Sequence, residues 1–137
     1  MPIPPSLIEN YVETRYCVFG KAPFVLHIGT ASPELEALYC QSNIDSAAFI
    51  TACNPYSLPL EDAANTARQT ALMEELKQRG LSFFAGEGRH PSGDWSEPSY
   101  LVLNLSLDAA KELGRRYEQN AVVWCGVDAV PELVLIR

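Results

Sequence analysis

Residues 46–79 read SAAFITACNPYSLPLEDAANTARQTALMEELKQR, and the fold turns on how that stretch divides. Residues 47–53 are apolar on both faces, as in a central strand covered from two sides. Asn54-Pro55 ends the strand, because proline lacks the N–H a ladder needs and asparagine forms side-chain turns. A helix follows over residues 61–79 and stops at Gly80. Glu61 and Asp62 in its first turn, and Lys77 and Arg79 in its last, suit the helix dipole.

The inward stripe of that helix is mixed. Leu72 and Leu76 mark the core direction, and stepping back along the stripe lands on Arg68 and Asn65. A helix placed for packing alone keeps such a stripe apolar. Two readings stay open. Either Arg68 reaches water and Asn65 bonds a loop, or the pair lines a pocket.

Working outward, residues 1–5 read as an extended arm. A short helix follows with Ser6 and Glu9 at capping-box spacing. Strands are expected at 16–19 and 24–28, joined as a hairpin. Ser32-Pro33 opens a helix that ends near Asn43. Beyond Gly80, a strand over 81–85 leads into GEGRHPSGDWSE, residues 86–97, which has the composition of a polar loop. A strand over 99–105 follows, then a helix capped by Ser106 or Asp108, and strands at 121–125 and 133–136. The expectation is a single α/β domain over residues 1–137. It is a three-layer sandwich with a mixed, mostly parallel central sheet of six to seven strands and helices on both faces.

Crossovers through a helix make the joined strands run alike, and hairpins make them run oppositely. The carboxyl ends of the second, third and fourth strands then share an edge with the starts of the first, fifth and sixth. That edge receives Thr14, Arg15, Tyr16, Thr30, Ser32, Asn54, Ser57, Asn65, Arg68, Gly86, Gly88, His90, Glu97, Ser99, Gln119 and Asn120. Open α/β sheets bind ligands at such an edge, although each of these residue types is also common in ordinary loops.

Composition narrows the function. With 10 Lys plus Arg against 17 Asp plus Glu, the formal charge is −7, which argues against a nonspecific phosphate-backbone binder. No apolar run is long enough to cross a bilayer. The start MPIPPSLIEN lacks the basic and apolar regions of a leader, so the expected compartment is the cytoplasm. Cys17, Cys40, Cys53 and Cys125 form no C-x-x-C pair and read as reduced, mostly buried thiols.

Arg68 is the leading candidate to clamp an anionic group. Asn54, Ser57, Asn65, Gln119 and Asn120 would hydrogen-bond the ligand. Glu97 would be the ion-pair partner of Arg68 or a general acid/base, and His90 a proton carrier or a solvated loop residue. Ser57 and Cys53 have no locally paired histidine, and His27 reads as a core histidine. Two histidines and scattered cysteines make no zinc pattern, and Gly86-x-Gly88 precedes no helix, so no metal or dinucleotide cofactor is expected. Trp95 reads as a lid, a contact aromatic or a loop closure.

The run AFITACNPYS at 48–57, followed by NTARQTAL at 65–72, resembles an uncharacterised bacterial family, domain-of-unknown-function family 3293. YVETRY at 11–16, GEGRHPSGDWSEPSYLVL at 86–103 and EQNAVVW at 118–124 are similar to it as well, so the resemblance spans nearly the whole chain. Its ITA-x-NP-x-S motif often carries Trp where this chain has Cys53, which leaves Cys53 no inherited role. The resemblance implies a single-domain bacterial protein and supplies no activity. Two functions therefore stand: binding or acting on a small anionic molecule at the polar edge, or a non-catalytic module whose surface meets a protein partner.

Overall fold

The central strand, β3 (Ala47–Ile50), lies between two antiparallel partners and has no parallel neighbour. The computed structural model describes residues 3–93 and 95–136. In chain order the elements are α1 (Pro5–Glu13), β1 (Arg15–Val18), β2 (Phe24–Leu26), α2 (Pro33–Ser42) and β3. A single 3-10 turn at Pro55–Ser57 precedes α3 (Asp62–Gln78). Then come β4 (Phe83–Arg89), β5 (Ser96–Leu103), α4 (Leu107–Arg116), β6 (Ala121–Cys125) and β7 (Pro131–Leu135). Of the expected N-terminal arm, residues 1–2 lie outside the described residues, Ile3 is buried, and Pro5 already belongs to α1.

The seven strands form one sheet in the order β2-β1-β4-β5-β3-β6-β7, and every neighbouring pair is antiparallel. This corrects the expected mostly parallel three-layer sandwich. The error was to seat strands joined by a helix side by side. The connection through α3 passes over β5, that through α4 passes over β3, and that through α2 passes over β1, β4 and β5. Each skips an odd number of strands, so the joined strands still run alike while an opposed strand sits between them. The carboxyl ends of β3 and β4 therefore do share an edge with the starts of β1, β5 and β6.

The sheet also curls. The chain leaving β2 meets the start of β7, with Gly29 N–H donating to Pro131 O at 2.8 Å and Ser32 N–H to Ala129 O at 3.0 Å. That curl carries Thr30 and Ser32 away from the edge where the flat-sheet argument put them. They line a separate surface groove with His27, which is exposed rather than a core histidine.

Half of the polar stretch expected as a loop is strand, at 86–89 and 96–97. Gly86 faces Ser99, Gly88 faces Glu97 and Arg89 faces Ser96 across a long β4–β5 hairpin. At Gly86 there is no room for a side chain: a Cβ would stand 2.5 Å from Cys17 O and 3.0 Å from the Phe49 ring.

Alternation along β3 divides the core. Ala47 and Phe49 pack with Leu35 and Tyr39 of α2, and Ala48 and Ile50 with Leu72 and Leu76 of α3 and Leu113 of α4. Each leucine taken fully out of water contributes roughly 1.5–3 kcal/mol. Ser32 Oγ accepts from Leu35 N–H and Ser106 Oγ from Ala109 N–H, each at 3.1 Å, which fixes where α2 and α4 begin. Cys53 and Cys125 are buried, but Cys17 is half-buried and Cys40 exposed, so the thiols are less hidden than their apolar context suggests. No helix among the described residues is long and apolar enough to cross a membrane.

Candidate functional site

β3 stops at Ile50, three residues short of the apolar run, and side chains take over from the ladder. Ala52 N–H donates to Gln69 Oε1 at 2.9 Å, and Ala52 O accepts from Arg68 Nε at 2.6 Å. Cys53 O accepts from Gln119 Nε2 at 3.0 Å, and Asn54 N–H donates to Asn65 Oδ1 at 2.9 Å. Buried backbone groups need such partners, which is why the first half of the α3 stripe is polar. Gln69, which the stripe argument overlooked, is buried beside them, and its Nε2 has no partner among the described residues.

Arg68 is therefore a tie rather than a ligand clamp. Besides Ala52 O it donates from Nη2 to Tyr117 O at 2.6 Å, and it pairs with Glu118 at 3.5 Å, not with Glu97. It lines neither of the cavities that meet at Glu97.

A second hollow lies on the Phe49 face of the sheet, beneath α1. A cavity of about 350 Å3 is bounded there by α1, β1, β3, β5 and the start of β6. Its walls include the aromatic side chains of Tyr11, Tyr16, Phe49 and Trp95. Volume and lining fall within the range of small-molecule sites. Tyr16 and Phe49 meet edge to face, with ring centroids 5.2 Å apart. Gly88 lies between Tyr16 and Glu97 in the sheet and lines the same cavity.

Glu97 is the one carboxylate on that wall among the described residues. Among the described residues, no lysine, arginine or histidine forms an ion pair with it. Asn54 Nδ2 donates to Glu97 Oε2 at 2.9 Å. Burial pushes the carboxyl up from 4.5 to about 7, and the Asn54 hydrogen bond offsets only part of that. Its charge acts on Tyr16 and Cys53, and burial raises both above their ordinary values.

The turn carrying Asn54 is strained. Asn54, Tyr56 and Ser57 stand at φ +48°, +53° and +62°, a region that costs a side-chain-bearing residue free energy. The turn is held in place by α1 and α4. Ser57 Oγ and Tyr11 OH share a hydrogen bond, Asn120 Nδ2 donates to both at 3.2 Å, and Tyr56 N–H donates to Glu118 O at 2.6 Å.

Of the expected site residues, Asn54, Ser57, Glu97 and Gln119 come together on the cavity wall. Asn65 lines an adjoining groove that shares Asn54 and Glu97 with it. Asn120 serves the turn. His90 stands behind Trp95, stacked on it at 6.2 Å and paired with Glu13 at 3.2 Å. Tyr11, Tyr16, Phe49 and Trp95 went unread as a set. Tyr11 and Phe49 looked like ordinary helix and strand residues, whereas Tyr16 was placed at the polar edge and Trp95 stood out in a polar stretch. Among the described residues, no group of three or more His, Cys, Asp and Glu is placed to hold a metal ion.

Fold and site together define an antiparallel α/β domain with an aromatic cavity built around one carboxyl group. Residues 50–122 match the family described as "Protein of unknown function (DUF3293)", and the chain belongs to that family. No curated protein and no solved structure matches the chain.

Proposed function

We propose that the chain binds a small molecule in the cavity beneath α1 and exchanges a proton with it through Glu97. The observation that carries this reading is a carboxyl group in a preformed cavity with one neutral hydrogen bond and, among the described residues, no cationic partner. A structural carboxylate is normally paired or solvated. One poised near neutrality is suited to take or give a proton at physiological pH. The expected anionic ligand loses its support, because among the described residues no lysine, arginine or histidine lines the cavity and Arg68 is committed elsewhere. Four cysteines without a disulfide fit the cytoplasm of a bacterium, which the family resemblance also suggests.

Gly88 offers a clean test. A Cβ there meets only Thr14 at 3.5 Å and Trp95 at 3.8 Å, so Gly88→Leu fills the cavity without a backbone clash. Mass spectrometry of small molecules released on denaturation should find a repeatable compound in the wild type and not in Gly88→Leu. The same result from both proteins would remove the cavity from consideration.

A second reading rests on Tyr56, Leu58 and Leu60, exposed apolar residues on the strained turn and the segment after it. They would form a protein-docking surface in a non-catalytic module. Leu58→Ser would then lose a partner while Gly88→Leu kept it.

A further inference from the structure

We propose that the ligand of this cavity is a small organic cation, a protonated amine held against Glu97 with its apolar part among the aromatic walls. The inference rests on the reading of the cavity as a small-molecule site and adds the chemical class of what enters it.

Three features converge. Among the described residues, the cavity wall holds one carboxylate and no lysine, arginine or histidine. Tyr11, Tyr16, Phe49 and Trp95 present rings, whose faces attract a cation in a desolvated site. The whole chain carries −7, so its field gathers cations and disfavours anions.

The charge balance decides among ligand classes. A neutral ligand would displace water from Glu97 and leave the carboxylate more poorly solvated than before. An anion would add repulsion to that loss. An amine supplies the missing partner: its N–H groups donate to Glu97, and Thr51 and Ser57 offer further acceptors on the same wall.

Proton linkage follows with a definite sign. A cation beside Glu97 favours the ionised carboxyl, so amine binding near neutral pH releases a proton. Neutral or anionic ligands favour the protonated carboxyl, so their binding takes a proton up. Tyr16 on β1 and Cys53 after β3 also face Glu97, and Glu13 and His90 pair behind Trp95. Comparison with Glu97→Gln subtracts any contribution from those groups.

Benzylamine, benzyl alcohol and benzoate are matched in size and differ in charge. Calorimetric titration of each into the full chain at pH 7, in two buffers of different ionisation enthalpy, reads affinity and proton count together. Benzylamine should bind at least tenfold tighter than the other two and release roughly half a proton. Glu97→Gln should erase that preference while still binding benzyl alcohol, and Gly88→Leu should bind none of the three. Benzyl alcohol or benzoate binding the wild type as well as benzylamine, with loss in Gly88→Leu, would overturn the cation assignment and keep the cavity as a site. No binding of any probe by the wild type would overturn both.

Discussion

Asn54 donates to Glu97 Oε2 at 2.9 Å while its own Oδ1 accepts from Asn65 Nδ2 at 2.8 Å and from Leu60 N–H at 3.0 Å. The last two bonds orient the first. With Oδ1 taken twice, the amide has only its N–H groups left to face the carboxyl. Asn65 Oδ1 also holds Asn54 N–H, which helps keep the turn at its positive φ. The Asn54-Pro55 turn beyond β3 is thus built to present one neutral donor to a carboxyl group that has no ion-pair partner among the described residues.

Glu97→Gln should stabilise the protein at neutral pH. Burial raises the folded-state carboxyl from 4.5 to about 7, so the folded chain binds more protons than the unfolded chain between those values. Stability therefore falls as pH rises through that window. The ceiling of the effect is about 3 kcal/mol, less wherever water reaches the carboxyl. Thermal midpoints at pH 4 and pH 8 check it: the variant should match the wild type at the lower pH and exceed it at the higher. Equal midpoints at both would mean that the carboxyl titrates normally.

Arg68→Ala should destabilise the chain without touching the cavity. It leaves Ala52 O and Tyr117 O without their 2.6 Å donor and removes one of the ties between α3 and the end of α4. The expected cost is roughly 2–3 kcal/mol, a fall in Tm of about 5–10 °C. Arg68→Lys recovers little, because an ammonium cannot reproduce the guanidinium fork. An unchanged Tm together with lost ligand binding would return Arg68 to the site.

Local signals were legible where a single side chain decides them. Ser32, Ser106, Asn43 and Gly80 mark helix ends in the structure as they do in the sequence. Strand direction was legible too, because an odd number of skipped strands preserves it. Strand neighbours were not: nothing local to β3 says that β5 and β6 flank it. The cavity was half legible. Glu97, Asn54 and Ser57 stood out as polar residues at one edge, but Tyr16 and Phe49 look identical whether they fill a core or line a hollow. Arg68 misled because an inward guanidinium binds a backbone carbonyl as readily as a ligand.

Gly86→Ala and Gly88→Ala should differ sharply although they are two residues apart on one strand. A methyl on Gly86 meets the Cys17 carbonyl at 2.5 Å, and backbone cannot give way as a side chain end can. Parting β1 from β4 there should cost roughly 1–3 kcal/mol, the usual range for overpacking. At Gly88 the nearest atoms are at 3.5 Å, and loss of glycine entropy from the unfolded chain leaves alanine neutral or mildly stabilising. Urea midpoints of the two variants decide it, and equal losses would place the clash elsewhere.

Glu75→Gln should act opposite in sign to Glu97→Gln at neutral pH. Burial alone would raise the Glu75 carboxyl, but the Tyr117 hydroxyl at 2.8 Å, with Arg79 at 2.6 Å and Arg116 at 3.0 Å, outweighs it and lowers the carboxyl below its usual range. A lowered group stabilises the fold above its unfolded-state value, about 4.3 for a glutamate, and that contribution is lost as pH falls through the folded-state value. The amide keeps the shape and gives up the charge, so α3 and α4 lose a charge-assisted junction at a cost of about 1–2 kcal/mol at pH 7. The gap should narrow on acidification as the wild-type carboxyl protonates. Urea melts at pH 7 and pH 3 test both halves, and a gap that held constant with pH would show that packing, not charge, joins the two helices.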